Sequence, residues 1–207
     1  MNKQQQILSA AKELIYQKGY ENTTVRDIST LAKVNVAMIS YYFGSKEKLF
    51  AAMIEENATS AFNKLEYIGN TTAKPEKKLE ALVTMYVDRV YANRTFFTII
   101  NRELSTEHSK ELVNHIISLH ARNFDSLKKI ITDGQKQKIF RSDIDIDLVI
   151  ASFIGTLSEV ISSTQILSGI YKLKYTAYKT EEEKDEEWKK RLKSHLTDLL
   201  QVYLIRK

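Results

Sequence analysis

The fold of this chain is decided by residues 23–50, which read TTVRDISTLAKVNVAMISYYFGSKEKLF. Thr24 precedes an apolar periodic run and Asp27 follows three residues later, the spacing at which side-chain oxygens satisfy the free amides of a helix N-terminus. A short helix is therefore predicted to begin near Val25. Helical spacing gives it one stripe that we expect to be buried. The stripe consists of Val25, Ile28, Leu31 and Ala32.

A second short helix is predicted from Val36 to Phe43. Asn35 can cap its N-terminus, Gly44 suits its C-terminus, and a third helix is expected to begin at Lys46. The apolar face of the second helix is predicted to hold Val36, Ile39, Tyr42 and Phe43. Its other face is predicted to hold Ala37, Met38, Ser40 and Tyr41. Two short helices joined by a turn of about three residues form a helix-turn-helix, and its second helix can enter the major groove of duplex DNA.

Four short segments make the pattern more specific than a general helix-turn-helix. They are KGY at 18–20, TTVRDI at 23–28, YYF at 41–43 and SKEKLF at 45–50. In order and spacing they resemble the DNA-binding domain of the TetR family of bacterial transcriptional regulators. The segment FRSDIDID at 140–147 is similar to a loop-to-helix junction common in that family. The resemblance is strong over about the first quarter of the chain.

Two positions depart from the family pattern. Family members usually have Gly in the turn where this chain has Lys33, and usually have Tyr on the recognition helix where it has Ser40. If Lys33 keeps a left-handed backbone, we expect a strain of about 1 kcal/mol. Ser40 affects one phosphate or base contact that the family would normally make.

Composition is compatible with a DNA-binding protein and with a reducing compartment. The 207 residues are enough for one or two domains and include no Cys, so disulfides and thiolate metal sites are excluded and a cytoplasmic location is expected. The net charge is +5, and residues 1–50 carry seven Lys and Arg against four Asp and Glu. More than half of the positive excess therefore lies beside the predicted helix-turn-helix. Residues 148–171 contain Glu159 and many hydroxyl residues, so they are interpreted as a buried helix and no membrane partner is expected.

The rest of the chain is predicted to be all α, with about nine helices in total. Residues 1–47 are expected to form the DNA-binding domain, and residues 48–207 a helical effector-binding and dimerisation domain. Gly69 to Lys74 is a predicted loop, and residues 168–185 are a predicted loop or poorly ordered insertion. The other predicted helices are Lys3 to Lys18, Lys46 to about Tyr67, Pro75 to Tyr91, Thr95 to Leu104, Lys110 to Lys136, Ile146 to Leu167 and Glu186 to Ile205.

Two sets of side chains are candidates for contacts with double-stranded DNA. Hydroxyls and an ammonium near helix N-termini suit phosphate, where backbone amides also favour anions. This first set is Thr24, Tyr41, Tyr42 and Lys46. The resemblance places a second set at base edges: Asn35, Val36, Ala37 and Ser40, with Arg26 as an additional reader. The alternatives are that Tyr42 belongs mainly to the core and that Arg26 and Lys46 are solvated surface charges.

Dimerisation and ligand binding are implied by the resemblance. In the family the last two helices, here 146–167 and 186–205, pair with their twofold mates, and such a homodimer implies a palindromic operator. The alternative is that these faces complete a monomer core. A small-molecule effector would lie among helices from Met53 to Ile131 and release the protein from DNA; repression is the usual outcome in the family. Candidate lining residues are Met85, Tyr86, Phe96, Phe97, Arg102, His115 and Phe124.

The main competing class is an enzyme. Ionisable side chains cluster in one region: Glu103, Glu107, His108, Glu111, His115 and His120. A di-iron carboxylate bundle needs paired Glu-x-x-His motifs on facing helices, and the sequence has none; it also lacks a Gly-rich phosphate loop and a nucleophile elbow. We therefore expect no catalysis, metal or cofactor. A third hypothesis is a helical partner-binding protein that has lost specific DNA binding, which Lys33 and Ser40 would explain.

Overall fold

The protein is all α in the parts of the chain that the structure, a computed structural model, describes: residues 2–103, 110–163 and 181–205. Within these ranges it has nine helices, which confirms the predicted fold class. The helices are α1 Lys3–Lys18, α2 Val25–Leu31, α3 Val36–Phe43, α4 Lys46–Asn70, α5 Pro75–Ala92, α6 Arg94–Glu103, α7 Lys110–Lys136, α8 Ile146–Ser162 and α9 Glu181–Leu204. None of them combines the length and the apolarity that a bilayer crossing requires.

Two predicted boundaries are wrong. The helix α4 continues through Gly69 to Asn70, where a loop was predicted, and its end is closed by the Thr71 hydroxyl donating to the carbonyl of Ile68 at 2.8 Å. The ammonium of Lys78 also donates to the Gly69 carbonyl at 2.6 Å, so a group near the end of α4 is satisfied by a residue of α5. A partner nine residues further along the chain extends the helix beyond what local signals indicate.

The start of the last helix differs in the same way. Residues 181–185 were predicted to be part of a loop because of their charge, whereas α9 begins at Glu181. The carboxylate of Asp185 has a distant cationic partner, since Arg94 Nη2 lies 2.7 Å from its Oδ1. The predicted end of the preceding helix at Leu167 and the predicted loop over 168–180 lie outside the described residues.

The chain divides into two compact units. The first unit comprises Met1–Phe62 and Thr95–Asn123, and the second comprises Asn63–Arg94 and Phe124–Lys207. The expected boundary between residues 47 and 48 stays a prediction about folding domains, because these units are defined by packing alone.

Each unit has its own apolar core. In the first unit, side chains of α1 to α4 pack with the apolar faces of α6 and the first half of α7. In the second unit, α5 and α9 lie along each other. That contact buries one stripe from each helix: Leu79, Val83 and Val87 from α5, and Leu192, Leu196, Leu200 and Leu204 from α9. The first core holds α2 and α3 in place and thereby presents the candidate site.

Candidate DNA interface

The start of α2 is fixed by a capping box. The Thr24 hydroxyl oxygen accepts from the backbone N–H of Asp27 at 3.1 Å, and the Asp27 carboxylate accepts from the backbone N–H of Thr24 at 2.9 Å, as the sequence predicts. The same carboxylate accepts from the Lys18 ammonium at 2.7 Å, and chiefly this bond holds the pKa of Asp27 well below its usual range. One carboxylate therefore ties the end of α1 to the first turn of α2.

The ends of α3 are capped as predicted. The Asn35 side-chain oxygen accepts from the backbone N–H of Ala37 at 2.8 Å, and the N–H of Gly44, at φ +80°, donates to the Ser40 carbonyl at 2.9 Å. Ile39 and Phe43 are buried one helical turn apart and fix the rotation of the helix about its axis. The residues on the opposite side of α3 consequently face solvent.

The exposed face of α3 is broader and more aromatic than predicted. Tyr41 is 83% exposed and packs edge-on against Tyr42, with ring centroids 5.1 Å apart. Val36 and Tyr42, predicted on the apolar face and also as DNA contacts, are exposed, whereas Met38, predicted on the other face, is partly buried against the core. A helix of only two turns buries one pair of side chains, one turn apart, against the core. The residues on either side of that pair therefore remain exposed to solvent.

The helix α2 shows the same effect. Of its predicted apolar stripe, Ile28 is buried, Val25 is only partly buried and Leu31 is exposed. Ala32, just past the end of the helix, is buried as expected. On the outer side of α2, Thr24 and Arg26 are both exposed, as a DNA contact requires.

Lys46 lies at the first residue of α4 in an unusual environment. Its ammonium is 4.1 Å from the centroid of the Tyr20 ring and donates to the Glu21 carbonyl at 3.4 Å. Burial lowers the pKa of Lys46, and burial also raises the pKa of the Tyr20 hydroxyl to about 12. The ring of Tyr20 rests on Phe50 with centroids 4.6 Å apart. The ammonium is thus positioned at the junction of α1, α2 and α4.

The turn between α2 and α3 has the left-handed backbone considered for the sequence. Lys33 has φ +52°, and its N–H donates to the Thr30 carbonyl at 3.2 Å. The following amide, that of Val34, donates to the Ser29 carbonyl at 3.0 Å. The side chain of Lys33 is exposed.

A buried acid at the end of α6 was not identified as a structural feature from the sequence. Glu103 is 2% exposed, and its Oε1 lies 2.9 Å from Arg102 Nη2. The Arg102 guanidinium packs over Gly19, since a Cβ at position 19 would be 2.6 Å from Arg102 Nη2. Adjacent residues of a helix point about 100° apart, so sequence spacing gives no signal for this pair.

The candidate ligand-lining residues are divided between the two units. Tyr86 is buried in the second unit, edge-on to Phe153 with centroids 5.5 Å apart, and burial raises the pKa of its hydroxyl to about 12. Met85 and Phe124 are partly buried against the same core. The remaining four, Phe96, Phe97, Arg102 and His115, lie in the first unit.

A cavity of about 250 Å³ opens in the first unit between α4 and α7. Of the candidate ligand residues, His115 lines it, and its Nε2 is 3.7 Å from a Glu55 carboxylate oxygen. The other lining residues are Glu47, Lys48, Ala51, Glu111 and Leu112. Glu107 and His108 of the ionisable cluster lie outside the described residues, and the part of the chain that is described holds no group of three or more His, Asp or Glu side chains able to bind a metal.

The last two helices expose apolar side chains within the second unit. Val202 on α9 is 72% exposed although it lies two residues from fully buried Leu204. Among the described side chains of these helices, the other exposed large apolar residues are Leu148, Ile154, Leu199 and Tyr203. Gly155 on α8 adds a position around which a side chain would meet no atom within 4 Å.

Comparison with known proteins assigns both parts of the chain. Residues 7–53 match the family described as bacterial regulatory proteins, tetR family, and residues 75–199 match the tetracyclin repressor-like C-terminal domain. The chain is 37% identical over 152 residues to the HTH-type transcriptional repressor NicS of Pseudomonas putida, covering 70% of this chain and 71% of that one. It is 27% identical over 143 residues to the repressor KstR2 of Rhodococcus jostii, covering 69% and 70%.

A solved structure supports the fold over nearly the whole length. The transcriptional regulator FadR from Bacillus subtilis, in complex with stearoyl-CoA, matches with a TM-score of 0.76 at 21% identity, covering 96% of this chain and 98% of that one. Together with the capped helix-turn-helix and its exposed recognition face, these matches place the protein among transcriptional regulators and not among enzymes. The chain is a member of the TetR family of DNA-binding transcriptional regulators.

Proposed function

We propose that the protein is a homodimeric repressor that binds a palindromic operator through α3 and is released by a small, largely apolar ligand. The observation that carries the proposal is the exposed face of α3, where Tyr41 is 83% exposed on a helix fixed by caps at both ends. The Tyr41 hydroxyl on this fixed face can donate to a phosphate, a contact that tyrosine side chains make to the DNA backbone.

The hydrogen bonds of the caps determine what Thr24 and Asn35 can offer to DNA. The Thr24 oxygen already accepts from the Asp27 amide, which leaves its hydroxyl proton to donate to a phosphate. The Asn35 oxygen accepts from the Ala37 amide, so Asn35 can present its NH₂ group to a base. A bidentate contact with adenine needs both groups of the amide, and we therefore expect Asn35 to make a single donor contact.

The remaining candidate contacts divide by chemistry. Tyr41, Tyr42 and Lys46 are proposed to contact phosphates, and Arg26 to reach a base or a phosphate. Val36, Ala37 and Ser40 are proposed to face base edges. These three side chains are small, so sequence preference would come from contact with thymine methyl groups and from DNA shape.

The homodimer is proposed to form through the exposed apolar residues of α8 and α9. A single helix-turn-helix makes few contacts, and two copies separated by about one helical turn, roughly 34 Å, read two half-sites together. Covering Leu148, Val202 and Tyr203 would remove exposed apolar surface from water. A twofold interface uses the same patch on both subunits, as a pair of antiparallel or crossing helices allows.

For the effector we propose a ligand with a long apolar part, of the acyl-CoA class. FadR from Bacillus subtilis, similar in fold, was solved with stearoyl-CoA, and KstR2 of Mycobacterium tuberculosis, also similar in fold, is a ketosteroid transcriptional regulator. Aromatic and Met side chains of the candidate set offer apolar contact, and Arg102 or His115 offers polarity. Ligand binding is proposed to shift the population of dimers toward a spacing of recognition helices that does not fit the operator.

The DNA part of the proposal is tested by selecting binding sites from random duplex DNA with the purified protein and titrating the selected site at several salt concentrations. We expect a palindrome and an affinity that falls steeply with salt. Tyr41→Ala should weaken binding, whereas the matched control Tyr67→Ala should not, although Tyr67 is exposed to a similar degree, 75%. Enrichment without a palindrome would contradict the dimer, and no enrichment would contradict specific DNA binding.

The ligand part is tested by thermal unfolding with stearoyl-CoA and with CoA alone, followed by operator binding in their presence. Stabilisation and release from DNA by stearoyl-CoA, with no effect of CoA, would support an acyl ligand. Equal effects of both compounds would contradict an apolar site. Phe124→Ala should reduce the stabilisation if Phe124 lines that site.

The alternative, a partner-binding protein without specific DNA binding, gives the opposite result for Lys46→Glu. In the repressor the reversed charge beside the phosphates should abolish operator binding. In the alternative, partner capture would be unchanged by that variant, and the random DNA selection would yield no motif.

A further inference from the structure

The turn between α2 and α3 contains a residue that its backbone does not favour. Lys33 has φ +52°, in the left-handed region where a Cβ crowds the following carbonyl and where glycine is the ordinary choice. Two hydrogen bonds hold this conformation, from the amides of Lys33 and Val34 to the carbonyls of Thr30 and Ser29. The turn is therefore held by the last carbonyls of α2, and a glycine would satisfy it without strain.

The charges of the first fifty residues show which cations are available for DNA. Lys12 lies 2.8 Å from Glu56, and Lys18 lies 2.7 Å from Asp27. Lys48 lies 3.4 Å from Glu111, and the ammonium of Lys46 is held over the Tyr20 ring. In the described part of the chain, the cations of this region that have no acidic partner in an ion pair are Lys3, Arg26, Lys33 and Lys46, of which Lys46 lies over the Tyr20 ring.

The position of Lys33 relative to α3 gives its charge a target. It is three residues before Val36, the first residue of α3, so its Cα lies within about 11 Å of that residue. The N-terminal residues of a recognition helix contact base edges, and the phosphates that border the major groove then lie beside the turn that precedes this helix. The exposed ammonium on its flexible stem can reach such a phosphate.

We propose that Lys33 is a phosphate contact, so that this chain accepts backbone strain in the turn in exchange for a cation beside the operator. The inference rests on the proposed function and deepens it. It also differs from the partner-binding alternative, in which Lys33 would help to explain a loss of specific DNA binding. Here the lysine in the turn increases the affinity for DNA of any sequence.

The experiment compares Lys33→Gln, Lys33→Gly and Lys33→Arg in operator binding as a function of salt and in thermal unfolding. Each phosphate contact contributes about 0.9 to the slope of log affinity against log salt, so removing one per subunit should lower the slope by about 1.8 for a dimer. Lys33→Gln and Lys33→Gly should both show this loss, equally for operator and random DNA. Lys33→Arg should keep the wild-type slope.

Lys138 supplies a matched control for the strain. It has φ +60° at the turn after α7, in the second unit, and its side chain is exposed like that of Lys33. Glycine at either position removes strain and should raise Tm by about 2–4 °C. Only at position 33 should this gain be accompanied by a loss of salt dependence, so Lys138→Gly should bind DNA with the wild-type slope.

The outcomes separate this inference from the proposed function. A wild-type protein that binds the operator with a slope unchanged in Lys33→Gln and Lys33→Gly would overturn the phosphate contact alone. A wild-type protein without salt-sensitive DNA binding would overturn both. A loss of slope in Lys138→Gly equal to that in Lys33→Gly would also overturn the inference, because the effect would then not belong to the turn before α3.

Discussion

The helix-turn-helix and the second unit are held together by contacts of different range. In the first, Thr24 and Asp27 cap each other three residues apart, and Lys18 reaches Asp27 over nine residues. In the second, Gln201 donates to Glu80 at 3.3 Å across 121 residues of chain. Short-range contacts can be recognised in a sequence, whereas long-range ones depend on helices that meet only in the folded chain. The two regions should therefore respond differently to substitution.

The largest effect is expected in the core of the second unit. Leu196 is completely buried between α9 and α5, so Leu196→Ala should lower the free energy of unfolding by about 2–5 kcal/mol. Leu31→Ala is the matched control in the helix-turn-helix, since Leu31 is 41% exposed; it should change stability by about 0.5 kcal/mol or less. Urea unfolding followed by circular dichroism measures both. If both variants lost the same free energy of unfolding, the long-range core of the second unit would contribute no more at Leu196 than α2 does at Leu31.

A somewhat smaller effect is expected from a charge on the exposed face of α9. Val202→Glu should leave the fold intact, because Val202 is 72% exposed, and should convert the proposed dimer to a monomer. Loss of simultaneous binding to two half-sites should weaken operator binding by about 100-fold or more. Sedimentation velocity and fluorescence anisotropy check the two parts. A monomeric variant with wild-type operator affinity would show that pairing through α9 does not contribute to recognition.

Removal of a helix cap should cost less and should distinguish the regions by function. Thr24→Ala removes the oxygen that accepts from the Asp27 amide, and Asp145→Ala removes the carboxylate that accepts from two amides at the start of α8. Each should lower stability by about 1 kcal/mol. Only Thr24→Ala should also weaken operator binding. Reduced binding in Asp145→Ala at a temperature where both variants are folded would contradict this separation.

The smallest expected effect is the contribution of Asp27, in the helix-turn-helix, to the pH dependence of the free energy of unfolding. The Lys18 ammonium lowers the pKa of Asp27 in the folded state, so the unfolded state binds the proton more readily. The resulting stabilisation is fully present above the unfolded pKa of about 3.9 and is lost as the pH falls through the lower folded value. The free energy of unfolding of wild type and of Asp27→Asn should be measured from about pH 7 down to about pH 2. The two curves should converge toward the acid end. Parallel curves would contradict a depressed pKa at Asp27.

Sequence reasoning succeeded where the signals were local. The caps at Thr24, Asn35 and Gly44 follow from residue types within a few positions of one another, whereas the left-handed backbone at Lys33 was considered only because the family usually has glycine there. The exposure of Tyr42 agrees with the predicted DNA contact and not with the alternative that it belongs mainly to the core; periodicity identified its face but not how far a neighbouring helix covers it. The family resemblance, more than any single contact, indicated what the folded chain does.

Contacts between separate helices account for two of the other differences. The helical state of residues 181–185 is accompanied by the ion pair of Asp185 with Arg94, which no window around residue 185 contains. The continuation of α4 through Gly69 likewise involves Lys78 of the next helix. The burial of Glu103 has no periodic signal, since its partner Arg102 is the adjacent residue. The contacts of Asp185 and Gly69 appear only when separate helices are brought together, whereas Arg102 and Glu103 are neighbours in one helix.

The packing of Arg102 over Gly19 has a consequence for genetic selection. Gly19 has φ +85°, which strains any residue with a side chain, and a methyl group there would lie 2.6 Å from Arg102 Nη2, so a substitution at position 19 must push the Arg102 guanidinium away from the α1–α2 junction. Selection for constitutive expression of the regulated genes should therefore recover alleles at codons 19 and 102 as well as in the recognition helix. Alleles of the first kind would produce protein that accumulates normally but no longer occupies its operator, and second-site suppressors should arise in α6.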